Sequence, residues 1–452
     1  MNTLLKAALL LLALPPATQD RKPNVIFILA DDLGYGDLGC YGQKKIRTPN
    51  LDRMAQEGLR FTQFYAGSTV CAPSRCVLMT GRNTGHAFIR GNAKTNLRPE
   101  DVTVAEVFKE AGYATGLCGK WGLGHEGSTG VPTRQGFDSF FGYLDQTHAH
   151  NYWPTFLMRN EERVTLKNEV PNEGPVGQGV ASKRVEWSHD LIAKEALAFV
   201  DRHRERPFFL YYAITLPHAN NEAKKKGMEI PDHGDYADRD WPEPEKGRAA
   251  MIARLDRDVG ELFRKLKELG LDDRTLVLFS SDNGPHREGG ADPDFFASSG
   301  PLRGIKRALY EGGIRVPMIA RWPGKVPAGK TSDHVWGMWD VLPTAAELSG
   351  GKAPEGLDGV SMLGAVLGRE AKAQEFLYWE FHEGGFRQAV RHGDWKGVRQ
   401  GSKAPLELYD LKADLGEKEN VAARHPDVVA AIEKYLATAR TESVEFPVKE
   451  KK

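Results

Sequence analysis

Charge of one sign is what this chain lacks: Lys+Arg number 61, Asp+Glu also 61, and the formal net charge is +0. No overall field recruits nucleic acid or an anionic membrane, so an anionic ligand must be held by local charges. Cysteine is scarce as well, with 4 among 452 residues, which excludes a disulfide scaffold. The spacing of Cys40, Cys71, Cys76 and Cys118 is not that of a zinc site either. Membrane-length apolar runs are missing. The N-terminal run Ala7 to Leu14, behind Lys6, is far short of the roughly 20 residues that span a bilayer. Followed by Pro15-Pro16-Ala17-Thr18, it reads as a secretory signal peptide over residues 1–19. The expected location is therefore the periplasm or the medium, with no membrane attachment after signal removal. There is no internal repeat, which excludes a solenoid.

What is present is an α/β pattern. Val25 to Ala30, Tyr113 to Cys118, Phe208 to Ile214 and Leu276 to Phe279 are continuous apolar runs, as strands buried on both faces require. Helical spacing appears over Val102 to Ala111, Trp187 to Arg202 and Ala249 to Leu269. The alternation predicts a large, mainly parallel, doubly wound sheet flanked by helices. Ser349-Gly350-Gly351 marks a boundary, so residues 20–348 form the expected catalytic domain. In residues 349–452 short runs separated by turns predict a smaller α+β subdomain with an antiparallel sheet, closed by a helix from Pro426 to Arg440.

Each apolar run leads directly to a polar group: Asp31-Asp32, Lys120, His218 and Asp282-Asn283. Ligands of open α/β sheets bind beyond the carboxyl ends of the strands, so these groups converge on one edge. Adjacent aspartates at a strand end repel unless a cation is shared between them. With Asp282 and Asn283 they offer hard oxygen donors, suited to calcium or magnesium. Cys71-Ala72-Pro73-Ser74-Arg75 precedes the apolar Val77, Leu78 and Met79, which places Cys71 at a helix N-terminus favourable to an anion. An ordinary thiol of lowered pKa is the plain alternative at such a position. Cys40, Cys76 and Cys118 read as small buried hydrophobes.

In this order along the chain, Ala30-Asp31-Asp32-Leu33-Gly34-Tyr35-Gly36-Asp37, Cys71 to Arg75, Leu78 to Arg82, Gly119-Lys120-Trp121, Leu216-Pro217-His218, Ser281 to Gly284 and Gly304-Ile305-Lys306 with Glu311-Gly312-Gly313 resemble the type I, formylglycine-dependent sulfatases of the alkaline-phosphatase superfamily. The likeness extends to bacterial arylsulfatases and N-acetylgalactosamine-6-sulfatase-like carbohydrate sulfatases. It implies that a formylglycine-generating maturase oxidises Cys71 to 3-oxoalanine, whose hydrate is the nucleophile. It implies further that Asp31, Asp32, Asp282 and Asn283 bind Ca2+ together with the residue at Cys71. Arg75, Lys120 and Lys306 would then hold the hydrate and the sulfate, and His218 would protonate the leaving oxygen. The implied substrate is a sulfated mono-, oligo- or polysaccharide. Many members carry a histidine after the Gly-Lys-Trp tryptophan where this chain has Gly122, and His125, His148 or His150 could stand in, or the contact could be absent. His86, Arg90, His125, His148, His150 and His286 are the candidate substrate contacts. Two rivals remain open on this scaffold: a phosphate or phosphonate ester hydrolase, and an inactive relative that binds sulfated glycans.

Overall fold

A computed structural model describes residues 22–449. The signal-peptide reading of residues 1–19 falls outside the described residues. Within them one large mixed sheet is built from β1 (Asn24–Ala30), β2 (Leu59–Tyr65), β3 (Ala114–Lys120), β4 (Ser139–Tyr143), β5 (Phe156–Arg159), β6 (Glu162–Thr165), β7 (Phe208–Ala213), β8 (Thr275–Ser281), β9 (Arg315–Arg321), β10 (Lys330–Ser332) and β11 (Trp336–Gly337). The strand order is β10-β2-β9-β8-β1-β7-β3-β4-β5-β6, with β11 also on β2. The central strands β8, β1, β7, β3 and β4 are parallel. β9 runs against both its neighbours, β2 and β8.

The apolar runs are explained by cover on both faces. Val25, Phe27 and Leu29 of β1 enter one hydrophobic cluster, shared with the helices Cys71–Thr80, Val104–Glu110 and Val341–Ser349. Ile26, Ile28 and Ala30 enter the other, shared with Pro49–Glu57, Ser188–Arg202 and Glu243–Glu268. The last of these begins six residues before the Ala249 that periodicity indicates, because Pro244 fits the first helical turn and the acidic Glu243 and Glu245 favour it. β3 also runs beyond the predicted Cys118 to Lys120. Gly119 permits this: its φ is +121°, and a Cβ there would lie 1.9 Å from the Ala213 carbonyl oxygen of β7.

Thr103 accepts a hydrogen bond from the Glu106 amide while Glu106 accepts one from the Thr103 amide, a reciprocal cap on Val104–Glu110. Thr103→Ala should destabilise the protein by about 1 kcal/mol, read as a lower urea midpoint with an unchanged slope.

Residues β12 (Phe376–Phe381), β13 (Arg387–His392), β14 (Trp395–Arg399) and β15 (Glu407–Asp410) make a four-stranded antiparallel sheet. The helix Pro426–Leu436 covers it through Ile432 and Leu436. Alternate residues of β12 face opposite ways: Tyr378 joins this small core, whereas Leu377, Trp379 and Phe381 join the large one. Trp379 donates its indole N–H to the Ala66 carbonyl at 2.9 Å, and Lys396 of β14 pairs with Glu311 at 2.8 Å. The small sheet is thereby fastened beside the strand β2 that leads to Cys71.

Candidate active site

Parallel pairing brings the carboxyl ends of β1, β7, β3 and β8 to one edge, and each delivers a charged or polar residue there. Asp31 and Asp32 leave β1, Lys120 ends β3, His218 follows β7, and Asp282 and Asn283 leave β8. Asp32 takes a left-handed φ of +64°, uncommon outside glycine, which turns the chain immediately after the strand. Cys71 is the first residue of its helix and only 1% exposed. Ser74, one turn on, accepts from the Gly67 amide and donates to the Asp282 carbonyl, tying the helix to the end of β8.

Three carboxylates and three cations interlock here. Lys120 Nζ lies 2.6 Å from Asp31 Oδ2, and Lys306 Nζ lies 2.8 Å from Asp32 Oδ2. Arg75, wholly buried, donates to Asp282 Oδ2 at 2.8 Å and approaches Asp31 at 3.6 Å. It also donates to the Lys120 carbonyl at 2.9 Å. Burial works against ionised Asp31, yet Lys120 and Arg75 hold it well below the usual carboxylate range. Asp32 is also lowered, because Lys306 outweighs its burial. Asp282 is pushed up to about 7 by burial and by Asp31 beside it.

Burial pushes the Cys71 thiol up as well, beyond what Lys120 and Lys306 can reverse. The lowered-pKa thiol that a helix start suggests is therefore not what this site holds: desolvation overrides the helix dipole. An unaltered Cys71 is a protonated, weak nucleophile.

The donor set fits a hard divalent cation. The ligand atoms of Asp31, Asp32, Cys71 and His218 lie within 4.8 Å of one another. Asp31 Oδ1 and Asn283 Oδ1 are buried without any hydrogen-bond partner. Buried polar atoms are normally satisfied, so two orphaned oxygens among carboxylates are what a cation would use. Asn283 Nδ2 meanwhile donates to Asp32 Oδ1 at 2.6 Å, which orients its own oxygen.

His218 and Lys306 meet at 3.3 Å through Nε2 and Nζ. His218 Nδ1 lies 2.7 Å from the Ala219 carbonyl, so that nitrogen carries the proton and Nε2 is left to exchange one. Burial and Lys306 hold His218 well below its usual pKa.

The six candidate substrate contacts separate. His150 stacks on His218 with centroids 5.0 Å apart, and His286 sits 6.0 Å from His218. Both ring nitrogens of His286 are engaged, one with the Pro217 carbonyl at 3.1 Å and one with the Glu288 amide at 2.9 Å. It holds the turn bearing His218. Arg90 is buried against Glu380 at 3.1 Å, and His86 pairs with Asp358 at 2.8 Å. His125 pairs with Asp145 at 3.0 Å, while His148 packs between Tyr143 and Phe156. Gly122 has φ +78°, and a Cβ there would meet only Gln146, at 3.5 Å.

Sequence reasoning passed over Glu288, which groups with Asp32 and His286 and pairs with Lys306 at 3.5 Å. No spacing in the chain signals it. The signal for Ser74 was present, since it lies inside the Cys71–Arg75 pentapeptide.

The sulfatase family model matches residues 23–351, and the N-sulphoglucosamine sulphohydrolase C-terminal model matches 305–442. The N-acetylgalactosamine-6-O-sulfatase of Bacteroides thetaiotaomicron is 33% identical over 93% of this chain and 94% of its own length. Human arylsulfatase A is 34% identical over 91% of this chain and 86% of its own. The crystal structure of Ps i-CgsB in complex with k-i-k-neocarrahexaose superposes with a TM-score of 0.80 at 30% identity, covering 93% of each chain. Matches that span both sheets and contain every residue gathered at this edge leave one assignment: the chain belongs to the sulfatase family and is an enzyme that hydrolyses sulfate esters.

Proposed function

We propose that this enzyme removes sulfate from sulfated carbohydrates, with formylglycine made from Cys71 as nucleophile and calcium as the bound cation. The observation that carries it is the pair of orphaned buried oxygens, Asp31 Oδ1 and Asn283 Oδ1, beside a cysteine too deeply buried to act as a thiolate. Asp31, Asp32, Asp282, Asn283 and the residue at 71 would hold calcium, which would supply positive charge toward the sulfate oxygens. Formylglycine at position 71, in its hydrated form, would supply two geminal hydroxyls, of which one would be the nucleophile and the other would allow sulfate to be expelled, a route closed to a serine.

The remaining work belongs to side chains already in position. Lys120 and Lys306 approach the Cys71 edge from different segments and neutralise charge on a sulfate seated between them. Arg75 is locked by Asp282 and the Lys120 carbonyl, so it orients the nucleophile without moving. The bare Nε2 of His218 would take a proton from the Lys306 ammonium it contacts and pass it to the ester oxygen. Three carboxylates offset three cations in the pairs above, so a divalent cation leaves the edge positively charged, as an anionic ester requires. The N-terminal run, the absence of a membrane-length helix among the described residues and a glycan substrate fit a periplasmic or secreted enzyme.

The experiment is sulfate release from defined sulfated galactose and N-acetylgalactosamine, with aryl sulfate, phosphate monoesters and phosphonates alongside. Sulfated sugars should lead, and a preference for phosphorus esters would overturn the reading. Chelation should abolish turnover and added calcium should restore it. Calcium at 100-fold over its Kd should also stabilise the fold by about 2.7 kcal/mol, read as a higher urea midpoint. An activity and a midpoint that both ignore chelator would remove the metal from the account.

A further inference from the structure

The loop after β15 carries a buried carboxyl that takes no part in the proposed reaction. Glu417 is 0% exposed and holds a left-handed φ of +51°. That conformation costs a non-glycine residue free energy and persists only where the surroundings fix it. What fixes it lies far back in the chain. Its carboxyl Oε2 accepts the Glu311 amide at 2.7 Å, and its backbone carbonyl accepts Arg303 Nη1 at 2.7 Å.

Arg303 and Glu311 bound the loop that carries Lys306. Its ends are drawn together by the Gly312 amide, which donates to the Arg303 carbonyl at 2.7 Å. The Arg303 guanidinium also lies 3.8 Å over the Tyr310 ring. A loop closed in this way moves as a unit. In its middle the Lys306 amide donates to the Pro285 carbonyl at 2.9 Å, and the Arg307 amide to the Thr69 carbonyl at 3.0 Å. Pro285 lies just past Asn283 and Thr69 just before Cys71, so the loop rests on both the candidate cation ligand and the nucleophile segment. Just beyond its far end, Gly313 accepts the Gly284 amide at 3.0 Å, and a Cβ at Gly284 would lie 1.9 Å from the Gly312 carbonyl oxygen. Packing this close transmits a shift of either end to Lys306, whose Nζ sits 2.8 Å from Asp32 and 3.3 Å from His218 Nε2.

We propose that Glu417 is a positioning residue: by gripping both ends of the loop 303–311 it fixes where Lys306 meets the sulfate ester. It touches no reacting atom. This rests on the role given to Lys306 above and is independent of which sulfate ester is cut.

The test uses full-length, matured, calcium-saturated enzyme acting on an aryl sulfate, at a temperature where urea unfolding shows each variant folded. Glu417→Ala releases the loop end at Glu311 and should lower kcat by about 10–100-fold, the cost of a reacting group misplaced by about 1 Å. Glu417→Gln keeps an acceptor oxygen for the Glu311 amide. Burial and the neighbouring Glu311 push the Glu417 carboxyl up to about 8, against Lys396 and Arg303, so glutamine also copies its charge near pH 7. Its kcat should match that of the parent enzyme. The deciding measurement is a cycle with Lys306→Ala, in whose background Glu417→Ala should cost nothing further. If Glu417→Ala does not fold, Arg303→Leu, which frees only the other end, enters the same cycle with the same expectation. Losses that multiply, or an undiminished kcat in Glu417→Ala, would overturn the positioning role and leave that of Lys306 standing. Full activity in Lys306→Ala would instead overturn the sulfate role given to Lys306, and the grip of Glu417 with it.

Discussion

Cys71→Ala should reduce sulfate release by about 10⁴-fold or more while the fold survives, because loss of a nucleophile costs on that order when the rest of the site persists. The side chain is small and buried, and the carboxylates and cations around it pair with one another without it. Cys71→Ser is the sharper variant. A serine oxygen can attack sulfur, but it has no second hydroxyl with which to expel the sulfate. The expected result is one slow turnover at most, with a sulfate-sized mass increase on the peptide that contains residue 71. Continued turnover by Cys71→Ser would show that a simple alkoxide suffices and that the geminal diol is unnecessary. Wild-type chain produced without a maturase should resemble Cys71→Ala, since burial keeps the thiol protonated.

Arg75→Met carries the largest expected cost in stability. Arg75 is wholly buried, and its guanidinium lies 2.8 Å from Asp282 and 3.6 Å from Asp31. A methionine nearly fills the same space but leaves two buried carboxylates without that cation. Removing one member of a buried ion pair typically costs about 3–5 kcal/mol, well beyond the cavity term for so similar a shape. Equilibrium unfolding in urea would measure it, and saturating calcium should recover part of the loss. Turnover should fall as well, because the nucleophile loses the group that orients it. A midpoint within experimental error of wild type would mean that Arg75 is not the counterion of the pair.

The parts of this fold legible in the sequence share one physical cause. β1, β3, β7 and β8 are covered on both faces, so they read as unbroken apolar runs, and a polar residue after each marks its carboxyl end. β2 and β9 were not legible because polar residues or proline break their apolar runs, although β9 is buried throughout. β2 interrupts its apolar residues with Arg60, Thr62 and Gln63, and β9 opens on Arg315 and contains Pro317. Helix Glu243–Glu268 was read short because Pro242 and Pro244 look like loop residues until their place in the first turn is known. At the site, adjacency in the chain found Asp31-Asp32 and Asp282-Asn283. It could not tell a histidine with a free nitrogen from one whose nitrogens are both used, as in His286. Nor could it see that Arg90 answers Glu380 across the chain, since such pairings are products of tertiary packing.

The central claim is that turnover depends on an aldehyde-derived nucleophile at position 71. Preparations of graded maturation provide the most direct measurement, with the converted fraction of the residue-71 peptide from mass spectrometry set against kcat in excess calcium. The account predicts a straight line through the origin. Appreciable sulfate release at zero conversion would contradict it.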